Sequence, residues 1–201
     1  GTQLRCPRRA RARRGGPGGI GRRVNRCALL LRAVNVSGRN RVPMAELRAL
    51  LSERTVLTGV STFIASGNII CDDPGDIEKA RSEVRALIAT AFGVDTPVIA
   101  RTHDQLVAAL EENPFPDAAL DKLLHVMFLE GPAAPGAIEV LEQRLMPGER
   151  LALIGDDLWF DYAETGVHAS KLTKAALDKA LGVAGTARNV RTVRTLAELT
   201  A

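Results

Sequence analysis

Apolar and polar positions alternate along the chain with a period that changes several times, and the changes set out an order of elements. Residues 28–36 (ALLLRAVNV) are an apolar run of strand length, followed by a Ser37-Gly38-Arg39-Asn40 loop. Met44, Leu47, Leu50 and Leu51 then recur at helical spacing, and Pro43 stands at the expected first helical position, where its missing N–H costs nothing. Residues 60–65 and 68–72 read as two strands joined through Ser66-Gly67-Asn68, whose Gly-Asn pair suits a tight hairpin. Asp76 is placed to cap a helix in which Ile77, Ala80, Val84, Ile88 and Phe92 share one face, and residues 96–100 close the unit as a strand. The order is βαββαβ, the split βαβ or ferredoxin-like arrangement.

A second unit follows. Thr102 and Gln105 have the spacing of a capping box for a short connecting helix with Leu106, Val107 and Leu110 inward. After a proline-containing loop over 113–121, residues 123–129 (LLHVMFL) read as a strand, and a Pro/Gly link at 131–136 leads to a helix with Ile138, Leu141 and Leu145. Two strands near 150–154 and 157–162 and two closing helices complete the pattern. The first of these helices is expected to start at Ser170-Lys171. The second is expected to be capped by Thr186, with Val190, Val193 and Leu196 as its core stripe. The second half is thus read as βαββα with a terminal helix in place of a last strand. The expected fold class is α+β, a tandem duplication of ferredoxin-like subdomains with antiparallel sheets and C-terminal helices.

Composition fits an ordinary globular body, at 46% hydrophobic and 25% charged residues. Charge is distributed unevenly. The net +4 conceals nine arginines and no acidic residue in residues 1–26, so the remaining chain carries 18 Lys and Arg against 23 Asp and Glu, or −5. The organisation expected is a disordered basic Arg/Gly-rich tail over 1–26 and two subdomains over 27–101 and 102–201. The tail cannot bury enough apolar surface to offset the entropy of ordering. It reads either as an arm with nonspecific affinity for nucleic acid or anionic lipid, or as an extension foreign to the native chain. No apolar run approaches the ~20 residues needed to span a bilayer. Cys6, Cys27 and Cys71 form no CxxC pair and fit neither a disulfide framework nor a zinc site, so a reducing, cytoplasmic setting is expected.

Known catalytic motifs do not occur. There is no phosphate-binding G-x-x-x-x-G-K-[ST], no G-x-G-x-x-G opening a helix and no G-x-S-x-G elbow. His103, His125 and His168 are far apart in sequence, which argues against a metal site, and His125 shares a strand face with Met127 and Leu129 as a satisfied core histidine would. The first and third strands carry no aromatic residue on which a base could stack, and Trp159, Phe160 and Tyr162 read as core filling.

Polar residues at positions that should be apolar carry the functional expectation. Arg32 and Asn35 lie in or at the end of the first strand. Arg188, Arg191 and Arg194 recur at spacings of three along one side of the last helix, and Ser170 and Lys171 start the preceding helix, whose free N–H groups attract anions. Arg32, Lys171 and Arg188 are expected to converge on a phosphate or carboxylate, with Asn35, Ser66, Asn68 and Asn189 as directional hydrogen-bonding groups. The competing reading is a set of caps, turns and solvated ion pairs.

At these same residues the chain resembles DUF1697, a family of uncharacterised bacterial proteins. The resemblance runs from about Ala28 to Leu199. It rests on Leu30-Leu31-Arg32-Ala33-Val34-Asn35-Val36-Ser37-Gly38, Val42-Pro43-Met44-Ala45-Glu46-Leu47, Ser66-Gly67-Asn68, Asn113-Pro114-Phe115, Ser170-Lys171-Leu172 and Thr186-Ala187-Arg188-Asn189 with Thr192. It implies duplicated ferredoxin-like subdomains and transfers no mechanism. Ala33 and Ser37 stand where the family has glycines, Ala65 where it has glutamine, and Val190-Arg191 where it has Trp-Asn. The expectation for function is a small anionic ligand, a nucleotide or phosphorylated metabolite, bound between the two subdomains, with no cofactor, metal or membrane implied and enzyme status open. The alternatives are a nucleic-acid-associated protein using the basic arm and a protein-interaction module without ligand.

Overall fold

The protein is described by a computed structural model over residues 25–201. Its first sheet is built from β1 (Arg26–Leu31), β2 (Ser61–Phe63), β3 (Asn68–Asp72) and β4 (Val98–Thr102), with α1 (Met44–Arg54) after β1 and α2 (Ile77–Phe92) after β3. α3 (His103–Glu111) leads to the second sheet, β5 (Leu124–Leu129), β6 (Arg150–Ile154), β7 (Asp157–Asp161) and β8 (Gly185–Asn189), with α4 (Ala137–Glu142) and α5 (Lys174–Leu181) as its crossovers and α6 (Val190–Thr200) last. Both sheets are antiparallel, ordered β2-β3-β1-β4 and β6-β7-β5-β8. The orders are equivalent, so the fold is the expected duplication of ferredoxin-like units.

Each central strand carries an apolar run, Cys27–Leu31 in β1, Ile69–Cys71 in β3, Val126–Leu129 in β5 and Leu158–Phe160 in β7, because both of its faces are buried there. Cys27, Leu29 and Leu31 of β1 face α1 and α2, with Leu47, Leu51, Val84 and Ile88. The intervening Ala28 and Leu30 face the other way and meet Val126, Phe128 and Trp159 of the second sheet through α3 and α6. Met127, Leu129 and Phe160 turn to α4 and α5. The molecule is therefore layered, with helices outside each sheet and a shared core between them. The shared core joins the two units; each fully buried Leu or Phe there contributes roughly 1.5–3 kcal/mol.

Several boundaries differ from the expectation, each for a local reason. β1 ends at Leu31, because Ala33, Asn35, Ser37 and Asn40 all take positive φ, between +49° and +54°, and no strand continues through such residues. Residues 64–67 form a four-residue connection between β2 and β3 rather than a tight Gly-Asn turn. Pro43 is the N-cap of α1 and not its first residue. β4 runs Val98–Thr102, and the Thr102–Gln105 capping box is formed in both directions. α5 starts at Lys174 behind the Thr173 cap, leaving Ser170 and Lys171 in the preceding loop. The largest correction is at the C-terminus. Residues 185–189 are a strand paired with β5, so the second unit completes βαββαβ, and Asn189, not Thr186, caps the last helix through Thr192 N–H at 2.9 Å.

The positive φ of Ala33 and Ser37 accounts for the glycines that the resembling family carries there. A left-handed L-residue costs ~1–2 kcal/mol and glycine's extra chain entropy returns ~0.5–1. Ala33→Gly and Ser37→Gly are each expected to raise stability by about 0.5–1 kcal/mol in urea unfolding; an unchanged or lower midpoint would contradict this account of the loop.

Candidate functional site at the junction of the two units

β8 lies against β5 closely enough that a Cβ on Gly185 would stand 2.7 Å from Leu129 Cδ2. From this edge strand the alternation sends Thr186 and Arg188 toward the first sheet. Thr186 Oγ1 donates to the Leu31 carbonyl at 3.0 Å. Arg188 reaches further. Its Nε donates to Asn68 Oδ1 at 2.6 Å, Nη1 to Thr186 Oγ1 at 2.7 Å and the Ala187 carbonyl at 2.8 Å, and Nη2 to the carbonyls of Leu31, Ser66 and Gly67 at 2.8, 3.1 and 3.3 Å. A guanidinium has five N–H groups, and here all of them point at protein oxygens. Arg188 is 7% exposed. Burial pushes its guanidinium down to about 10, so it stays charged at neutral pH, and among the described residues no carboxylate lies in salt-bridge contact with it. Carbonyl and amide dipoles balance the charge.

The receptor for this arginine is the Ser66-Gly67-Asn68 segment. Asn68 is fully buried, and its Nδ2 donates to the Phe63 carbonyl at 3.0 Å and Ser66 Oγ at 3.1 Å, which turns Oδ1 toward Arg188. Gly67 has φ +81°, and a Cβ there would lie 2.6 Å from Val34 Cγ2 and 2.7 Å from Leu31 Cβ. Only glycine lets this turn press on the end of β1 and present its carbonyl.

The other expected site residues divide. Arg32 turns across to α5 and pairs with Asp178, which also takes Lys174 Nζ at 2.8 Å. Desolvation opposes the ionised Asp178, but Lys174 and Arg32 outweigh it and hold its carboxyl below the usual range. Asn35 closes its own loop, with Nδ2 donating to the carbonyls of Val42 and Ala65 at 2.9 and 2.8 Å and Oδ1 accepting from Val42 N–H at 2.9 Å. Asn189 is occupied as the α6 cap. Lys171 is exposed, with no hydrogen bond or ion pair among the described residues. Ser66, Asn68 and Arg188 are thus brought together, whereas Arg32 and Lys171 do not make contact with that group. Arg191 and Arg194 lie on α6 and Arg188 on β8, so the three share no helix face.

Two concavities are relevant. The cleft between the units, about 510 Å³, is walled by α2, β4, α3, the end of β5 and the β6–β7 turn. It carries Glu78, Glu112, Glu130, Asp156 and Asp157 against Arg81 and Arg101. Both arginines are engaged: Arg81 with Glu78 and Glu130, Arg101 with Asp157 at 3.2 Å and the Leu129 carbonyl at 2.9 Å. Burial pushes the Asp157 carboxyl up despite Arg101. The surplus charge of the cleft is negative. The second concavity, about 440 Å³, lies at the start of α1 and is lined by Asn35, Arg41, Pro43, Met44, Arg48 and Ile64 among others, with no carboxylate. Arg41 and Arg48 escaped the sequence reading. Nothing in a run of surface arginines marks them, although their position around Pro43, at a helix start with no side-chain cap, is a usable signal.

Trp159 and Phe160 are fully buried and Tyr162 nearly so, which removes them as stacking surfaces. His125 is satisfied in part, through a hydrogen bond with the Leu123 backbone. Its Nδ1 has no partner among the described residues, its ring meets Tyr162 edge-on at 5.3 Å, and burial pushes its imidazole pKa down. Among the described residues no helix is long and apolar enough to cross a membrane, and no cluster of three metal-ligating side chains occurs. The expected nucleic-acid arm falls almost wholly in residues 1–24, outside the described residues; Arg26 belongs to β1.

A family model described as "Protein of unknown function (DUF1697)" matches residues 24–159. Among solved structures, the conserved bacterial protein SP0830 from Streptococcus pneumoniae is similar, with a TM-score of 0.69 and 22% identity over 88% of this chain and 99% of that one. At that identity the likeness concerns the fold. No curated protein matches.

Replacing Arg188 by lysine keeps the charge but supplies three donors from one point instead of a five-donor fork. Arg188→Lys is expected to cost about 2–4 kcal/mol in urea unfolding, because buried carbonyls lose their donors. A loss below about 0.5 kcal/mol, the range typical of surface substitutions, would show that the contacts do not bear on stability.

Proposed function

The chain belongs to the DUF1697 family, and we propose that this member binds a small anionic ligand, a phosphorylated metabolite or nucleotide, in the pocket at the start of α1. The observation that carries the reading is the open N-terminus of α1 beside Arg41 and Arg48 in a pocket without a lining carboxylate. The N–H groups of Met44, Ala45 and Glu46 have no acceptor among the described residues, and Pro43 provides no side-chain cap. Such N–H groups and the positive end of the helix dipole favour an anion. Arg48 is steadied by its Nη1 bond to Thr62 Oγ1 at 2.6 Å, and Arg41 is exposed and free to close over a bound group.

The surrounding backbone supports the same place. Asn35 and Ile64, both on the pocket wall, hold positive φ, as do Ala33, Ser37 and Asn40 in the loop that carries Asn35, and strained residues gather where a binding surface is fixed in advance. Asn35 is the one sequence-selected residue on the pocket wall. Its amide is spent on Val42 and Ala65, so it shapes the wall and does not contact the ligand. Charge argues against the cleft between the units as the anion site, since its carboxylates outnumber its arginines. Arg188 has no donor left for a ligand. No nucleophile or general base is assigned, and the reading is one of binding.

A thermal-shift series with inorganic phosphate, nucleoside phosphates, sugar phosphates and spermidine tests it. A ligand at 100 times its Kd adds ~2.7 kcal/mol, several degrees at about 2–4 °C per kcal/mol. The expected result is a phosphate-bearing hit that disappears in the Arg41→Ala/Arg48→Ala double variant. A hit unchanged in that variant would overturn the assignment, and a response to spermidine alone that is lost in Glu112→Gln/Asp156→Asn would overturn it and move the site to the cleft.

A further inference from the structure

Cys27 and Cys71 are partners in the β1–β3 ladder, and their sulfurs lie 3.6 Å apart, both buried. We propose that they form an oxidation site that a peroxide closes to a disulfide. The ladder bonds Asp73 N–H to Asn25 O and Leu31 N–H to Gly67 O bracket the pair at even spacing, so Cys27 and Cys71 occupy a hydrogen-bonded position. Such pairs have Cα atoms about 5.5 Å apart, inside the roughly 4.4–6.8 Å that a disulfide accepts. Both side chains face the α1/α2 side of the sheet, so closure requires side-chain rotation rather than a change of register.

Access and chemistry are consistent with one another. Cys27 and Cys71 are 1% and 0% exposed, so the oxidant required is one as small as hydrogen peroxide, and a pocket of about 260 Å³ bordered by Arg26, Cys27, Asp73, Thr102 and His103 lies at this end of β1. The two sulfurs share a hydrogen bond in which either can donate, and with Cys71 as the donor the Cys27 thiol is held below its ordinary range while Cys71 is pushed up. Cys27 is therefore the attacking sulfur. Its thiolate takes one oxygen of hydrogen peroxide to give a sulfenic acid, and the other oxygen leaves as hydroxide, which takes up the proton Cys27 released and becomes water. Cys71 then attacks that sulfenic sulfur, forming the S–S bond and expelling the hydroxyl with the Cys71 proton as a second water. Two thiols are oxidised and one peroxide is reduced. A dithiol reductant reverses the change by exchange.

The test uses the full chain treated with hydrogen peroxide, then denatured, alkylated and mapped by peptide mass. The expected product is a linked pair of peptides containing Cys27 and Cys71, recovered as two alkylated peptides after dithiothreitol, and absent when peroxide is added in concentrated urea. In Cys71→Ala, Cys27 is expected to be labelled as the sulfenic acid when peroxide is followed by unfolding in urea that contains dimedone. Recovery of both cysteines alkylated from the native protein, or either one linked to a different thiol, would overturn the proposal, whether or not the variant folds.

Discussion

The arrangement of the molecule depends on one buried cation. Arg188 leaves the edge strand of the second sheet, crosses to the first, and satisfies carbonyls at the end of β1 and in the β2–β3 connection. A buried charge without a counter-ion is costly unless every donor is used, and that condition fixes several neighbours at once. Asn68 must be buried and held with its oxygen toward Arg188, Gly67 must be glycine to bring its carbonyl near, and Thr186 must both donate to Leu31 and accept from Arg188. Three separate stretches of sequence thus answer to one geometric requirement.

That requirement also explains where ligand chemistry is and is not available. The junction is stitched by arginines, Arg32 to Asp178, Arg81 to Glu130, Arg101 to Asp157 and Arg188 to main-chain oxygens, and each is committed to the protein. In the proposed reading the cations that meet the ligand are Arg41 and Arg48 at the start of α1, beside N–H groups without an acceptor among the described residues. The acidic balance of the body is concentrated in the cleft. The two concavities therefore have opposite charge, and the fold separates them.

Much of the architecture was legible because both faces of each central strand are buried, which leaves uninterrupted runs such as Cys27-Ala28-Leu29-Leu30-Leu31. Helix caps at Asp76 and Thr102 were readable from side-chain chemistry alone. β8 was missed because Thr186-Ala187-Arg188-Asn189 is polar and its burial depends on partners over a hundred residues away, while the apolar spacing of α6 could be extended backward through it. Ser66, Asn68 and Arg188 stand among the seven residues expected to meet an anion, but the expected convergence of Arg188 with Arg32 and Lys171 does not form. Their role was not legible, because a sequence does not tell whether an arginine's donors end on a ligand or on backbone carbonyls. Arg41 and Arg48 look like any solvated arginine until the helix start beside them is known to lack a side-chain cap.

The central claim is that Arg188 and Asn68 act as one unit that couples the two sheets. A double-mutant cycle with Asn68→Ala, Arg188→Ala and the double variant, read by urea unfolding, measures it directly. A shared buried hydrogen bond to a charged group predicts a coupling of about 1.5–3 kcal/mol. Additive losses, with coupling within about 0.5 kcal/mol of zero, would contradict the account, because the two side chains would then be contributing separately to a junction held by its apolar core alone.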